Sequence, residues 1–140
     1  IILLTLIFNK KVVLRAFSIY IIMGLFIFPV FHQGGSIGYL LTPNFGYLLG
    51  LYPLIKIIDN LNNRNKISVG NFLKNGFIAI SAMHLTGIFY NFVQIIFYSQ
   101  FNLFLYNLGK YSLGKIGYHF LMLFPLLLLI KLIERLKPIK

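Results

Sequence analysis

A row of polar residues inside a strongly apolar stretch is the part of the sequence best suited to bind another group. The row consists of His84, Gly87, Asn91 and Gln94, spaced by 3, 4 and 3 positions, which places them on one face of a helix. Polar side chains within an apolar helix face protein or a cavity rather than lipid. Two interpretations remain open. The row either forms hydrogen bonds between helices, worth about 0.6–2 kcal/mol each, or lines a ligand site.

Residue counts exclude most catalytic chemistry. Asp59 and Glu134 are the only acidic residues and there is no cysteine, which excludes paired-carboxylate catalysis, cysteine nucleophiles and thiolate metal sites. No Ser-His-Asp set can be assembled within one face of a membrane. His84 has no carboxylate or second histidine at metal-ligand spacing. We therefore predict neither an enzyme nor a metal site.

A glycine-rich stretch at residues 34–50 is a candidate ligand wall. It reads G-G-S-I-G-Y-L-L-T-P-N-F-G-Y-L-L-G, and glycine permits positive φ and close backbone approach. Pro43 interrupts helical hydrogen bonding but suits the first position of a new helix. We predict a loop over residues 32–42 and a helix from Pro43. Irregular backbone near membrane depth must be buried in protein or line a polar cavity.

Four further residues are expected at the same end as this loop. Tyr39, Asn44 and Tyr47 accompany the glycines, and Lys115 lies at the mouth of the last hydrophobic segment. The tyrosines either contact a small ligand or form an interfacial aromatic belt, and Lys115 either pairs with an anionic group or extends toward lipid headgroups. Their convergence predicts a small-molecule pocket.

Composition indicates which elements carry these residues. Hydrophobic residues make up 59% of the chain, charged residues 11%, and the mean hydropathy is +0.84, which is typical of an integral membrane protein. We predict an all-α helical bundle, a single transmembrane domain over residues 1–140. Its five hydrophobic segments are residues 1–8, 12–31, 43–58, 76–98 and 112–133, with polar connections over 59–74 and 99–111. The first is shorter than the roughly 20 residues that span a bilayer, and we expect it to be the end of a helix whose beginning is missing.

The distribution of basic residues predicts the orientation of the bundle. Ten of the thirteen lie in the first and third connections and at the C-terminal end, whereas the second and fourth connections carry only Lys110 and Lys115. The positive-inside rule then makes the C-terminus cytoplasmic or stromal and puts the glycine loop on the opposite side. The membrane is either a bacterial plasma membrane or a thylakoid or plastid membrane. Lipid headgroups account for most of the net charge of +11, and no nucleic-acid partner is predicted.

Three motifs resemble the BioY family, the substrate-capturing S components of energy-coupling-factor (ECF) biotin transporters. Residues 34–50 are similar to its glycine-rich loop followed by a G-P-[ST]-x-G-[YF]-L-x-G helix. Residues 83–88, M-H-L-T-G-I, resemble its I-H-x-x-G element, and Lys10-Lys11 is similar to its short basic connection before the third helix. The resemblance implies a six-helix membrane protein, of which the five segments are the last five. It also implies a biotin pocket near the extracytoplasmic side.

The last helix departs from the family pattern. BioY proteins usually carry P-G-D-x-x-K there, with the acid and the base contributing to the ligand site, but here Lys115 occupies the acid position and Tyr118 the lysine position. Loss of an acceptor for the ureido N–H groups of biotin costs about 1–3 kcal/mol. Biotin and a related small vitamin therefore both remain candidate ligands.

The resemblance implies a ligand-binding protein rather than an enzyme, with a transmembrane scaffold and two ATPase subunits of an ECF module as partners. The alternative is a structural subunit of a larger membrane complex, for example a photosynthetic one, built on a BioY-derived fold. In that case the polar row is packing, or a histidine ligates a pigment. The predicted ligand-binding residues are His32, Gln33, Gly34, Gly35, Tyr39, Asn44, Tyr47, His84, Asn91 and Lys115.

Overall fold

The chain folds as an all-α membrane protein. The computed structural model describes residues 1–31, 34–61, 67–98 and 101–136. Two continuous helical stretches, Val69–Ile96 and Phe101–Arg135, are long and apolar enough to cross a membrane. In chain order the helices are α1 (Ile2–Ile7), α2 (Lys10–Phe26), a 3-10 helix (Ile37–Leu41), α3 (Pro43–Leu49), α4 (Leu51–Asp59), α5 (Val69–Tyr98), α6 (Phe101–Asn107), a π-helical segment (Leu108–Leu113), α7 (Gly114–Leu121) and α8 (Leu123–Leu136).

Helix α2 is bounded by a cap and a proline. The Asn9 side chain accepts a hydrogen bond from Lys11 N at 2.9 Å and caps the first turn. The helix ends at Phe26, five residues before the end of the predicted segment 12–31, because Pro29 has no N–H and disfavours the helical conformation of the residue before it. The chain then folds back, and Ser36 N donates to Gly24 O at 3.0 Å.

The predicted segment 43–58 forms two helices. Helix α3 begins at Pro43, as predicted, but it stops at Leu49, and α4 continues from Leu51. Pro53 cannot donate to the Leu49 carbonyl, which accounts for the break. Both helices pack on α5 through glycines: a Cβ at Gly46 would come within 2.4 Å of Tyr90 Cβ, and one at Gly50 within 2.5 Å of Met83 O.

Two predicted connections are partly wrong. Helix α5 begins at Val69, inside the predicted connection 59–74, because Ser68 Oγ accepts from Asn71 N at 3.2 Å and caps it. The predicted connection 99–111 is helical from Phe101 onward. Its residues 101–108, F-N-L-F-L-Y-N-L, are mostly apolar and favour a helix in an apolar environment, where backbone groups must bond within the chain.

Two apolar clusters hold the bundle together. One joins α1, α4, α5 and α8 through buried side chains such as Leu6, Ile58 and Phe72. The other joins α2 to α3 and α4, and includes Phe17 and Phe45. Many large apolar side chains face outward instead: Leu85 is 65% exposed, and Ile96 and Leu128 are each 73% exposed. Lipid tails cover such residues in a membrane.

Polar contacts join the ends of several helices on one side of the bundle. Lys10 Nζ lies 2.9 Å from Asp59 Oδ2, which joins the start of α2 to the end of α4. Glu134 Oε1 accepts from Ile67 N at 3.0 Å, and its Oε2 lies 2.7 Å from Lys131 Nζ. Both acidic side chains of the protein are therefore engaged in internal contacts, beside the connection between α4 and α5.

Candidate functional site

A cavity of about 450 Å³ lies between α3, α4, α5, the π-helical segment and α7. Small-molecule sites typically occupy about 300–1,000 Å³. Its apolar lining consists of Leu48, Leu51 and Met83. The other lining residues have polar or aromatic side chains: Tyr39, Asn44, Tyr47, Tyr111, Lys115 and His119. The cavity therefore suits a small amphipathic molecule.

Tyr47 reaches the cavity because α3 packs closely on α5. A Cβ at Gly87 would come within 2.3 Å of the Tyr47 ring, and the glycine thus leaves room for the phenol. The Tyr47 hydroxyl forms a hydrogen bond of 2.8 Å with Ser112 Oγ on the π-helical segment. The phenol ring also packs edge-on against the His84 imidazole, with centroids 5.7 Å apart.

Two histidines continue this hydrogen bonding. His84 Nδ1 lies 3.1 Å from Ser112 Oγ, and His84 Nε2 lies 2.9 Å from His119 Nδ1. His84 is only 2% exposed, and a buried imidazole needs partners for both ring nitrogens to avoid a desolvation cost. We refer to Tyr47, Ser112, His84 and His119 together as the polar relay. It joins α3, the π-helical segment, α5 and α7.

Positive charge and aromatic rings dominate the rest of the cavity wall. Lys115 Nζ lies 5.4 Å from the centre of the Tyr111 ring, within cation–π range. Lys110 Nζ lies 5.3 Å from the same ring but does not line the cavity. Burial raises the pKa of the Tyr39 phenol above its ordinary value, which keeps this hydroxyl protonated. The lining residues include no carboxylate, and the wall favours an anionic or hydrogen-bond-accepting group.

Asn91 lines a second, smaller cavity of about 130 Å³, together with Gln94 and Asn107. Asn91 is 3% exposed; its Nδ2 donates to Gly87 O at 2.9 Å, and the side chain also interacts with the Tyr47 hydroxyl. Its Oδ1 atom has no hydrogen-bond partner within the part of the chain that the structure describes. Gln94 Nε2 donates to Leu41 O at 2.9 Å. The polar row of α5 therefore faces protein and cavities.

The two histidines of the polar relay come from distant parts of the sequence. Among residues 1–31, 34–61, 67–98 and 101–136, there is no group of three or more His, Cys, Asp or Glu side chains that could hold a metal ion. The contact between His84 and His119 joins residues 35 positions apart, which sequence spacing alone could not show.

The family model of the BioY family matches residues 1–132 of the 140-residue chain. The chain belongs to the BioY family. This is the family of the S components of ECF biotin transporters, and its members are transporter components rather than enzymes. The protein is accordingly an integral membrane component for vitamin uptake. No curated protein and no solved structure gives a significant match to the chain.

In this BioY protein the 450 Å³ cavity brings together four of the ten predicted ligand-binding residues: Tyr39, Asn44, Tyr47 and Lys115. His84 lies behind the wall, in contact with His119, and Asn91 lines the smaller cavity. His32 and Gln33 lie outside the described residues.

The structure places the two predicted glycines of the BioY loop away from both of these cavities. Gly34 has a φ of +117°, a conformation that side chains rarely adopt. Gly35 packs against the end of α2, where a Cβ would come within 2.6 Å of Gly24 O. Both glycines therefore shape the chain that carries the wall residue Tyr39.

Three polar or aromatic residues of this BioY cavity and its wall were absent from the sequence-based list, namely Tyr111, Ser112 and His119, as were the apolar lining residues Leu48, Leu51 and Met83. The spacing of four between Lys115 and His119 could have signalled that both lie on one helix face. No comparable signal exists for Ser112, because the π-helical segment changes the spacing of side chains around the helix axis.

Proposed function

We propose that this S component captures biotin, or a closely related vitamin, in the 450 Å³ cavity from the extracytoplasmic side of the membrane. The observation that carries the proposal is the composition of the wall, which combines an apolar surface, the polar relay and Lys115 in one space. Biotin has matching parts: an apolar bicyclic body and chain, a polar ureido head and a carboxylate tail. Lys115 Nζ is the cation available to the carboxylate.

The position of the cavity along the bundle supports entry from the extracytoplasmic side. Met83, the cavity residue on α5, lies near the middle of that helix, 14 residues from Val69 and 15 from Tyr98. The wall residue Tyr39 lies farther from Val69, because its neighbour Leu40 accepts a hydrogen bond from Tyr90 on α5. The start of α5 adjoins the contacts of Glu134, and most of the basic residues that the structure describes lie at that end of the bundle. The positive-inside rule assigns that end to the cytoplasm. We propose that the cytoplasmic part docks on the transmembrane scaffold of an ECF module driven by ATPase subunits.

Radiolabelled-biotin binding to the purified protein tests the proposal. We expect saturable binding by the unmodified protein and at least about tenfold weaker binding by Lys115→Met, because a charge-assisted hydrogen bond contributes about 1.5–3 kcal/mol. Lys110→Met is the matched control: it removes a lysine from the other side of the Tyr111 ring, outside the cavity, and should bind within about twofold of the unmodified protein.

A Lys115→Asp variant distinguishes a cavity that binds a different ligand from a protein that has no ligand-binding function. It restores the acid that BioY proteins usually carry at this position. Binding by this variant alone would mean that the cavity is kept but the natural ligand differs from biotin. If neither the unmodified protein nor Lys115→Asp binds biotin, the proposal is overturned, and the interpretation as a structural subunit of a larger membrane complex is favoured.

A further inference from the structure

The polar relay begins and ends in the wall of the same cavity. Tyr47 is one end and His119 is the other, and both line the 450 Å³ space. Between them lie Ser112 and His84, which are each 2% exposed. His119 Nδ1 is engaged by His84 at 2.9 Å, which leaves Nε2 as the ring nitrogen available to a molecule in the cavity.

The proton count of the relay fixes what its two ends can offer. A neutral imidazole has one N–H and one acceptor nitrogen, and each hydroxyl has one proton. If Tyr47 donates to Ser112, then Ser112 donates to His84, His84 donates to His119, and His119 Nε2 carries the last proton. In the opposite direction, His119 Nε2 becomes an acceptor and the Tyr47 proton is free to point elsewhere. In both states one end is a donor and the other end is an acceptor.

We propose that the polar relay recognises a neutral ligand group that carries a hydrogen-bond donor and an acceptor side by side, as the ureido ring of biotin does, and that His119 is a specificity-determining residue of this protein. The inference rests on the proposed function and deepens it. The lining residues include no carboxylate, and His119 Nε2 supplies the acceptor for a ureido N–H that the usual acid of the last helix cannot supply here. Tyr47, at the other end, then donates to the ureido carbonyl.

The relay also defines what the cavity rejects. A neutral relay offers one donor and one acceptor but never two donors, because the number of protons between Tyr47 and His119 is fixed. A ligand head with two acceptors therefore leaves one polar atom without a partner, which is the arrangement that discriminates most strongly between ligands.

The test compares biotin with the two analogues in which oxygen replaces one or the other ureido N–H. We expect the unmodified protein to bind biotin at least tenfold more tightly than the weaker of the two analogues. In His119→Leu we expect the affinity for biotin to fall at least tenfold. The preference for biotin over the weaker-binding analogue should fall below threefold. His119→Gln keeps an amide that can donate or accept, and it should retain most of the preference.

Two further variants make the test specific to the relay. Ser112→Ala breaks the chain of hydrogen bonds without touching the ligand, and we expect the preference for biotin to fall although His119 is still present. Its small change in size also keeps the inference testable if His119→Leu does not fold. Tyr118→Leu is the matched control, because Tyr118 neighbours His119 but is 58% exposed and lies outside the cavity.

The outcomes separate this inference from the proposed function. Retained biotin binding with an unchanged preference in both His119→Leu and Ser112→Ala overturns the inference and leaves the proposed function intact. Equal affinity of the unmodified protein for biotin and both analogues also overturns the inference. The absence of biotin binding by the folded, unmodified protein overturns both.

Discussion

The position of Tyr47 depends on the absence of a side chain at Gly87. The phenol occupies the space next to the Gly87 Cα, where a Cβ would lie 2.3 Å from the ring, and this placement brings the hydroxyl to Ser112. The sequence shows that Gly87 shares a helix face with His84 and Asn91. It does not show that Tyr47, on another helix, fills the gap, because that contact depends on how α3 docks on α5.

At this scale we predict that Gly87→Ala impairs ligand binding. The added methyl group displaces the Tyr47 ring from Ser112, and we expect biotin affinity to fall at least about tenfold and stability to fall by about 1–3 kcal/mol. Equilibrium binding and thermal unfolding of the purified protein measure the two effects. Gly117→Ala is the control, because a Cβ at Gly117 meets no atom within 4 Å. Equal behaviour of the two variants would contradict the assigned role of Gly87.

At the scale of the elements, the break at Gly50 lets the two short helices α3 and α4 pack along the long helix α5. A Cβ at Gly50 would lie 2.5 Å from Met83 O and 2.9 Å from Met83 Cα. These are backbone atoms of α5, and they cannot move aside as a flexible side chain can. The close contact also fixes Leu51 and Met83, two apolar residues of the cavity.

We predict that Gly50→Ala forces α4 away from α5 and lowers the stability of the protein by about 1–3 kcal/mol. Thermal unfolding in detergent, compared with Gly70→Ala, measures this effect. Gly70 lies in the first turn of α5 with no atom near its would-be Cβ, and alanine there should raise stability by about 0.5–1 kcal/mol. A melting temperature of Gly50→Ala at or above that of the unmodified protein would contradict the prediction.

The sequence predicted the class of the elements better than their ends. Long apolar runs identify membrane helices because lipid leaves few alternatives for the backbone, and the start of α3 at Pro43 follows from proline geometry. The helical structure of residues 101–111 was missed, because polar residues such as Asn102 and Lys110 look like a connection when their environment is unknown. The partnership of His84 with His119 was missed for a similar reason, since tertiary packing alone brings them together.

At the scale of the whole molecule, charge is concentrated at one end of the bundle, and the cavity extends from the middle of α5 toward the other end. Lys10 and Asp59 pair on that end, and Glu134 contacts Ile67 there. The outward apolar side chains, among them Leu85 and Leu128, complete a surface suited to lipid. This separation of charge and cavity is the basis of the proposed orientation.

The absence of cysteine from the sequence makes the orientation directly testable by single-cysteine labelling. We expect Gly38→Cys and Lys110→Cys to react with a membrane-impermeant maleimide from the extracytoplasmic side, because the positive-inside rule puts both there. Lys11→Cys and Lys74→Cys should react only when the membrane is permeabilised and the maleimide reaches its cytoplasmic side. Labelling of the two pairs in the reverse order would show that the cavity opens to the cytoplasm and would contradict the proposed direction of uptake.

The π-helical segment Leu108–Leu113 makes one wall of the cavity sensitive to a change in chain length as well as to substitution. It carries Tyr111 and Ser112, and α7, with Lys115 and His119, follows directly. A single-residue deletion within the segment would turn its wider coil into an ordinary α-helix, which keeps the flanking helices in phase but moves the side chains of the segment itself, Ser112 among them, to new angles around the helix axis. Ser112 and His119 would then no longer meet His84 together. Across related proteins, an insertion or deletion in this short stretch would therefore mark a change of ligand, as a substitution of Ser112 would.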